Sequence, residues 1–125
     1  MSDKLTEIVV LPENNKATEI VELQFNYNRV FTGIKIHDGI EKIGRQAFAY
    51  CELLTSIAIP QSVTEIGRGA FSKCKNLKDV FIKGNICNIG KKVFEGCRKI
   101  TIHIKGSTQP DCAKSLGKNC IIELS

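Results

Sequence analysis

The chain has no tryptophan, one methionine, two histidines and three prolines in 125 residues, and its aromatics are confined to six Phe and two Tyr. Each shortage excludes something. His37 and His103 are too few for a histidine-based metal site, and no C-x-x-C occurs to supply the paired short spacings of structural zinc. Neither nucleotide-binding fingerprint is present, and no G-x-S-x-G, H-E-x-x-H or Cys-His pair is recognisable, so an enzyme is not expected and no cofactor is implied. No apolar run approaches the roughly 20 residues of a membrane helix. The N-terminal stretch "MSDKLTEIVVLPEN" lacks a basic start, an apolar run and a small-residue cleavage site. A cytoplasmic location is therefore expected, with the cell surface or secretion as the alternative if a longer precursor was trimmed.

What the chain does have is basic charge and cysteine. The formal net charge is +5, unevenly spread: residues 66–105 carry ten Lys/Arg against two acids, while residues 1–30 carry three against five. That balance permits a polyanion partner without requiring one. Six cysteines in a reducing compartment are expected to be thiols. Cys112 and Cys120, eight residues apart, are the two that an oxidising setting would allow to bridge.

The strongest signal is repetition. "IGRQAFAYC" (Ile43 to Cys51) returns as "IGRGAFSKC" (Ile66 to Cys74) and as "IGKKVFEGC" (Ile89 to Cys97), always 23 residues on. Isoleucine, glycine, phenylalanine and cysteine form columns, and Leu54, Leu77 and Ile100 close each unit. Upstream, Ile34/Ile36, Ile57/Ile59 and Val80/Ile82 supply the period-2 apolar pair of a short strand. A degenerate copy precedes these, with Ile20, Phe25 and Phe31 in the apolar columns and Asn28 in the cysteine column. "ITIHI" (Ile100 to Ile104) follows as a further strand one residue short of register, with Leu116 near the next Phe position.

A 23-residue period suits a leucine-rich repeat and is too short for helical repeats of about 33 or more. Each coil is expected to hold one parallel strand, a second short extended piece (Ile40–Ile43, Val63–Ile66, Ile86–Ile89) and a tight turn at the glycine. About one helical or 3₁₀ turn carrying the Phe and Cys would complete it. Five coils at ~4.8 Å spacing make a stub about 25 Å long. No coil can bury its apolar face alone, so the phrase recurs because stacking creates the core. One domain over 1–125 is expected: a degenerate N-terminal cap over 1–33, three regular repeats over 34–100 and a C-terminal cap over 101–125.

The stretch "LLTSIAIPQSVTEIGRGAFSKCKNLKDVFI" (Leu53 to Ile82) closely resembles the BspA-type leucine-rich repeat, L-x-x-I-x-I-P-x-x-V-x-x-I-G-x-x-A-F-x-x-C-x-x-L. With the degenerate ends the resemblance covers roughly residues 20–105; departures are Val80, Val93, Lys83 and the N-terminal insertion. It implies a right-handed solenoid with strands on one side and 3₁₀ or irregular segments on the other. It also implies non-enzymatic interaction, often as a surface adhesin module contacting host or matrix proteins.

The tempting chemistry is structural in the main. Cys51, Cys74 and Cys97 should stack as a ladder of small buried groups rather than converge on a metal. The glycine column reads as a backbone turn with positive φ or a close approach of coils. What remains is surface. Middle residues of Ile-x-Ile strands point away from the core, which nominates Lys35, Ala58, Phe81 and His103, followed by the next column His37, Pro60, Lys83 and Lys105. Phe81 with Lys83, His103 and Lys105 around it has the composition of an interface hot spot, an aromatic anchor with a basic rim. A protein-binding face at Lys35, His37, Ala58, Phe81, Lys83, His103 and Lys105 is the expectation; polyanion binding through residues 66–105 is its rival. Lys73, Lys75, Lys91, Lys92, Arg98 and Lys99 fall on the turn side.

Overall fold

The structure is a computed structural model that describes residues 7–10, 18–84, 86, 88–105, 116–117 and 119–124. Cys87 and Cys112 lie outside the described residues. Among the described residues ten strands run in chain order: β1 (Glu7–Val10), β2 (Glu19–Ile20), β3 (Gly33–Ile36), β4 (Lys42–Ile43), β5 (Ser56–Ile59), β6 (Glu65–Ile66), β7 (Asp79–Ile82), β8 (Asn88–Ile89), β9 (Ile100–Ile104) and β10 (Cys120–Leu124). They alternate between two sheets up to β9, after which β10 joins the same sheet as β9. The larger orders its six strands β1-β3-β5-β7-β9-β10, and the smaller orders four as β2-β4-β6-β8. Every pairing is parallel, as a chain that climbs one coil per repeat must give.

The 23-residue columns set the register. Ile34 pairs with Ile57, Ile57 with Val80, and Ile43 with Ile66. After β7 the step shortens by one: Val80 pairs with Ile102 and Phe81 with His103. Both ends go further than the sequence suggested. β1 adds a strand beneath β3, and β10 adds one beyond β9, with Cys120 opposite Ile100.

The core is the stack of inward columns. Phe48 and Phe71 are fully buried, with Ile43, Leu54, Ile57, Ile59, Leu77 and Ile100 around them. The phenyl rings form a spine: Phe25 on Phe48 (5.4 Å between centroids), Phe48 on Phe71 (5.3 Å) and Phe71 on Phe94 (5.7 Å), all within about 12° of parallel. Leu116 packs against the end of this core, where the column calls for a Phe.

The third side of each coil is irregular, as the resemblance implies, but among the described residues it contains no helical or 3₁₀ turn. Successive tight turns replace the expected one. Amides alternate in direction along this side. Those of Gln46, Phe48 and Tyr50 donate across to Arg68, Ala70 and Ser72 of the next coil, while those of Ala47 and Ala49 donate back within their own. The alternation needs left-handed backbone at two positions per coil, and both are columns: Leu23, Gln46, Gly69 and Lys92; then Tyr27, Tyr50, Lys73 and Gly96. A helical turn would direct all amides along the coil and forfeit the inter-coil bonds.

The recurring glycine serves close approach and not positive φ. A Cβ on Gly44 would lie 2.7 Å from the backbone oxygen of Ile20, and one on Gly67 would lie 2.7 Å from the backbone nitrogen of Arg45. Val21 holds this column in the first coil.

Candidate functional site

The cysteine column is a hydrogen-bonded ladder. Sγ of Cys51, Cys74 and Cys97 donates to the carbonyls of Phe25, Phe48 and Phe71 respectively, at 3.3, 3.1 and 3.1 Å. Each thiol thus satisfies a carbonyl of the preceding coil at the corner where the Phe turn ends. Burial pushes the Cys97 thiol up to about 11. The contact with Cys51, together with burial, holds Cys74 well above the usual thiol range, and the same contact draws Cys51 down. Cys120 is a free, half-buried thiol that burial also raises. Among the described residues no group of three His, Cys, Asp or Glu is placed to hold a metal.

Asparagine takes this position at both ends. Oδ1 of Asn28 accepts from the amides of Val30 and Phe31, both at 2.9 Å. Nδ2 of Asn119 donates to the carbonyls of Phe94, Cys97 and Arg98 at 3.0–3.3 Å. Asn28 was legible from the column. Asn119 was not, because the final coil is a residue short.

The outer surface of the six-stranded sheet carries the nominated residues. One row crosses it in register: Lys35 on β3, Ala58 on β5, Phe81 on β7, His103 on β9 and Glu123 on β10. Phe81 remains 40% exposed. His103 stacks on it, with centroids 4.4 Å apart and planes 12° from parallel. The histidine is held on both sides, Nε2 lying 2.9 Å from Asp79 and Nδ1 3.5 Å from Glu123. It therefore braces one flank of Phe81, through two acids that the sequence reading did not connect with it.

The other flank is open. Ala58 is the smallest side chain in its row, and the surface dips over it. A groove of about 450 Å³ is lined by Lys35, His37, Ala58, Pro60, Gln61 and Lys83, among others. A second, of about 300 Å³, shares Lys35, Ala58 and Lys83 and ends on Phe81. Pro60, placed in the outward column by the sequence, is buried. His37 is exposed, with Nδ1 2.6 Å from the Asp38 carbonyl. Among the described residues Lys35 and Lys83 have no ion-pair partner, unlike Arg29, Lys42 and Lys75. Lys105 is exposed just past the end of β9, outside both grooves.

The basic residues of 66–105 do not gather into one stripe. Lys75 pairs with Glu52. Arg45, Arg68 and Lys92 flank a cleft with Glu95, while Lys75, Lys78, Arg98 and Lys99 surround another with Asp79. A separate apolar surface went unrecognised in the sequence: Val21, Leu23, Tyr27, Val30 and Leu53 are all exposed. Tyr27 stacks on Tyr50 at 4.4 Å, and Leu53 follows Val30 in its column. The signal was available, since later coils put Gly90, Lys92, Gly96 and Lys99 in these same four columns.

Parallel coils, a buried Phe-Cys ladder and a glycine that permits close stacking together define one repeat type. The BspA type leucine rich repeat model matches residues 1–121 in six copies. The chain belongs to the BspA type leucine rich repeat family. Comparison with curated proteins and with solved structures gives no match. For this BspA type chain the match reaches beyond residues 20–105 at both ends, in keeping with β1 and β10 as additional strands of the larger sheet. The family suggests a repeat or interaction module and is typically non-enzymatic. Among the described residues no helix is long and apolar enough to cross a membrane.

Proposed function

We propose that this repeat domain is a protein-binding module, and that its contact surface is the outer face of the six-stranded sheet around Ala58 and Phe81. The observation that carries the reading is the pairing of a dip with an anchor. Ala58 leaves a concavity between Lys35 and Phe81, and Phe81 is braced by His103 in one orientation while staying 40% exposed. An aromatic ring already ordered in the free protein loses little side-chain entropy on binding, which is what hot-spot residues need. A protein is favoured over a polyanion because the basic residues are interleaved with Glu52, Asp79 and Glu95 instead of forming a continuous track.

The test is capture from native cell extract by four forms of the chain: wild type, Phe81→Ala, Ala58→Arg, and the turn-side double variant Lys91→Glu/Lys92→Glu. Loss of the same bound species with Phe81→Ala and Ala58→Arg, at a cost of ~2 kcal/mol or more, supports the face. Retention by both, with loss in the turn-side variant, moves the site elsewhere.

A further inference from the structure

We propose that the groove over Ala58 receives an extended, acidic segment of a partner protein with the pattern acid-x-aliphatic-x-acid: its aliphatic side chain sits over Ala58, and its two carboxylates meet Lys35 and Lys83. This rests on the strand-face reading above and specifies its ligand. Three observations carry it.

The first is charge. Lys35 and Lys83 line both grooves and have no ion-pair partner among the described residues, and Asp38 is the one acid in either lining. Among the residues whose side chains the structure describes, the other acids of this face, Asp79 and Glu123, are engaged by His103. The face is thus divided into a half neutralised internally and a half left basic. A ligand complementary to the open half is acidic.

The second is size. The dip exists because Ala58 stands opposite Lys35 on one side and Phe81 on the other. A branched aliphatic side chain fills such a gap and covers the exposed edge of Phe81, while Pro60 contributes apolar surface to the same lining.

The third is spacing. Lys35 is in register with Ala58 and Phe81, and Lys83 lies two residues beyond Phe81. The two lysines are therefore two strands apart across the sheet, about 9.6 Å, and two residues apart along it, about 6.6 Å, a diagonal of about 12 Å. An extended peptide places side chains i, i+2 and i+4 on one side over about 13 Å. The end residues reach the lysines, and the middle one falls on the line of β5 one residue, roughly 3.3 Å, beyond Ala58, within side-chain reach of it.

The experiment uses the full chain, labelled for NMR, titrated with the synthetic peptides SETLTES and SKTLTKS and with a heparin-derived oligosaccharide. The expected result is saturable shifts with SETLTES at the Ala58 methyl group and the Phe81 ring, absent with SKTLTKS. Lys35→Glu/Lys83→Glu should weaken SETLTES about tenfold and admit SKTLTKS instead. Both substitutions are at exposed positions, and an unchanged spectrum of the core confirms that the variant is folded.

Failure to bind SETLTES, equal binding of both peptides, or displacement of SETLTES by the oligosaccharide at the same residues overturns the proposal, the last in favour of a polyanion. If SETLTES fails while capture of the native species still depends on Ala58 and Phe81, the ligand chemistry is wrong and the face stands. If neither depends on them, both readings fall.

Discussion

The Cys74 thiol donates to the Phe48 carbonyl at 3.1 Å, joining residues 26 apart in sequence and one coil apart in space. It is the same bond that Cys97 makes to Phe71, so each cysteine fastens its coil to the one before. Reactivity follows from that placement. In native protein Cys74 should resist a thiol reagent that labels it promptly in denaturant, because the thiolate is the nucleophile and burial suppresses it. Mass-spectrometric mapping of the labelled sites is the check; rapid native labelling of Cys74, or stoichiometric zinc, would contradict the ladder.

Alkali should weaken the fold. The folded Cys97 value of about 11 lies above its ordinary value of 9.0, so the folded state holds a proton that the unfolded chain releases. The stabilisation is complete below pH 9 and is lost as pH rises through about 11, with Cys74 shifted in the same direction. Denaturant midpoints measured from pH 8 to 11 should fall. In Cys97→Ser they should fall less, since that thiol no longer titrates.

Phe71 is sandwiched between Phe48 and Phe94, whereas Phe25 is half-buried in the degenerate N-terminal coil. Phe71→Ala should cost ~3–5 kcal/mol because the cavity opens between two coils held by backbone bonds. Phe25→Ala should cost less. Equal costs in urea denaturation would show that the first coil is as constrained as the middle ones.

Gly67 and Gly69 differ by two residues and should respond differently to alanine. At Gly67 the added carbon meets the Arg45 backbone nitrogen at 2.7 Å, so the coils must part; at Gly69 its tightest contact is the flexible Gln46 side chain at 3.3 Å, with the Ser72 side chain at an ordinary 3.6 Å, at φ +62°. Gly67→Ala should cost about 2–3 kcal/mol, at the upper end of overpacking. Gly69→Ala should cost about 1 kcal/mol, the strain of a left-handed alanine. The reverse order in thermal unfolding would refute the close-approach role.

The repeat itself was determined by the sequence. A 23-residue spacing of Ile, Gly, Phe and Cys puts like residues above one another in any parallel stack, so register, core columns, the Phe spine and the thiol ladder follow from the spacing alone. The exposure of Phe81 followed from strand alternation by the same logic.

Only the tertiary structure decided what depends on contacts between unlike residues of different coils. The turns could be tight or helical until inter-coil amide bonds at Gln46, Phe48 and Tyr50 selected the left-handed form, and the glycine column had two readings until the Ile20 oxygen came within 2.7 Å of a Cβ on Gly44. Beyond β7 the repeat slips by one residue. The slip and the row shared by His103 and Phe81 were legible in ITIHI; the structure added the stacking of the two rings and, with β10 in place, the position of His103 between Asp79 and Glu123, while Lys35 and Lys83 stay unpaired among the described residues. Columns record which residues recur at a spacing; they carry no information on which unlike neighbours satisfy each other's charge.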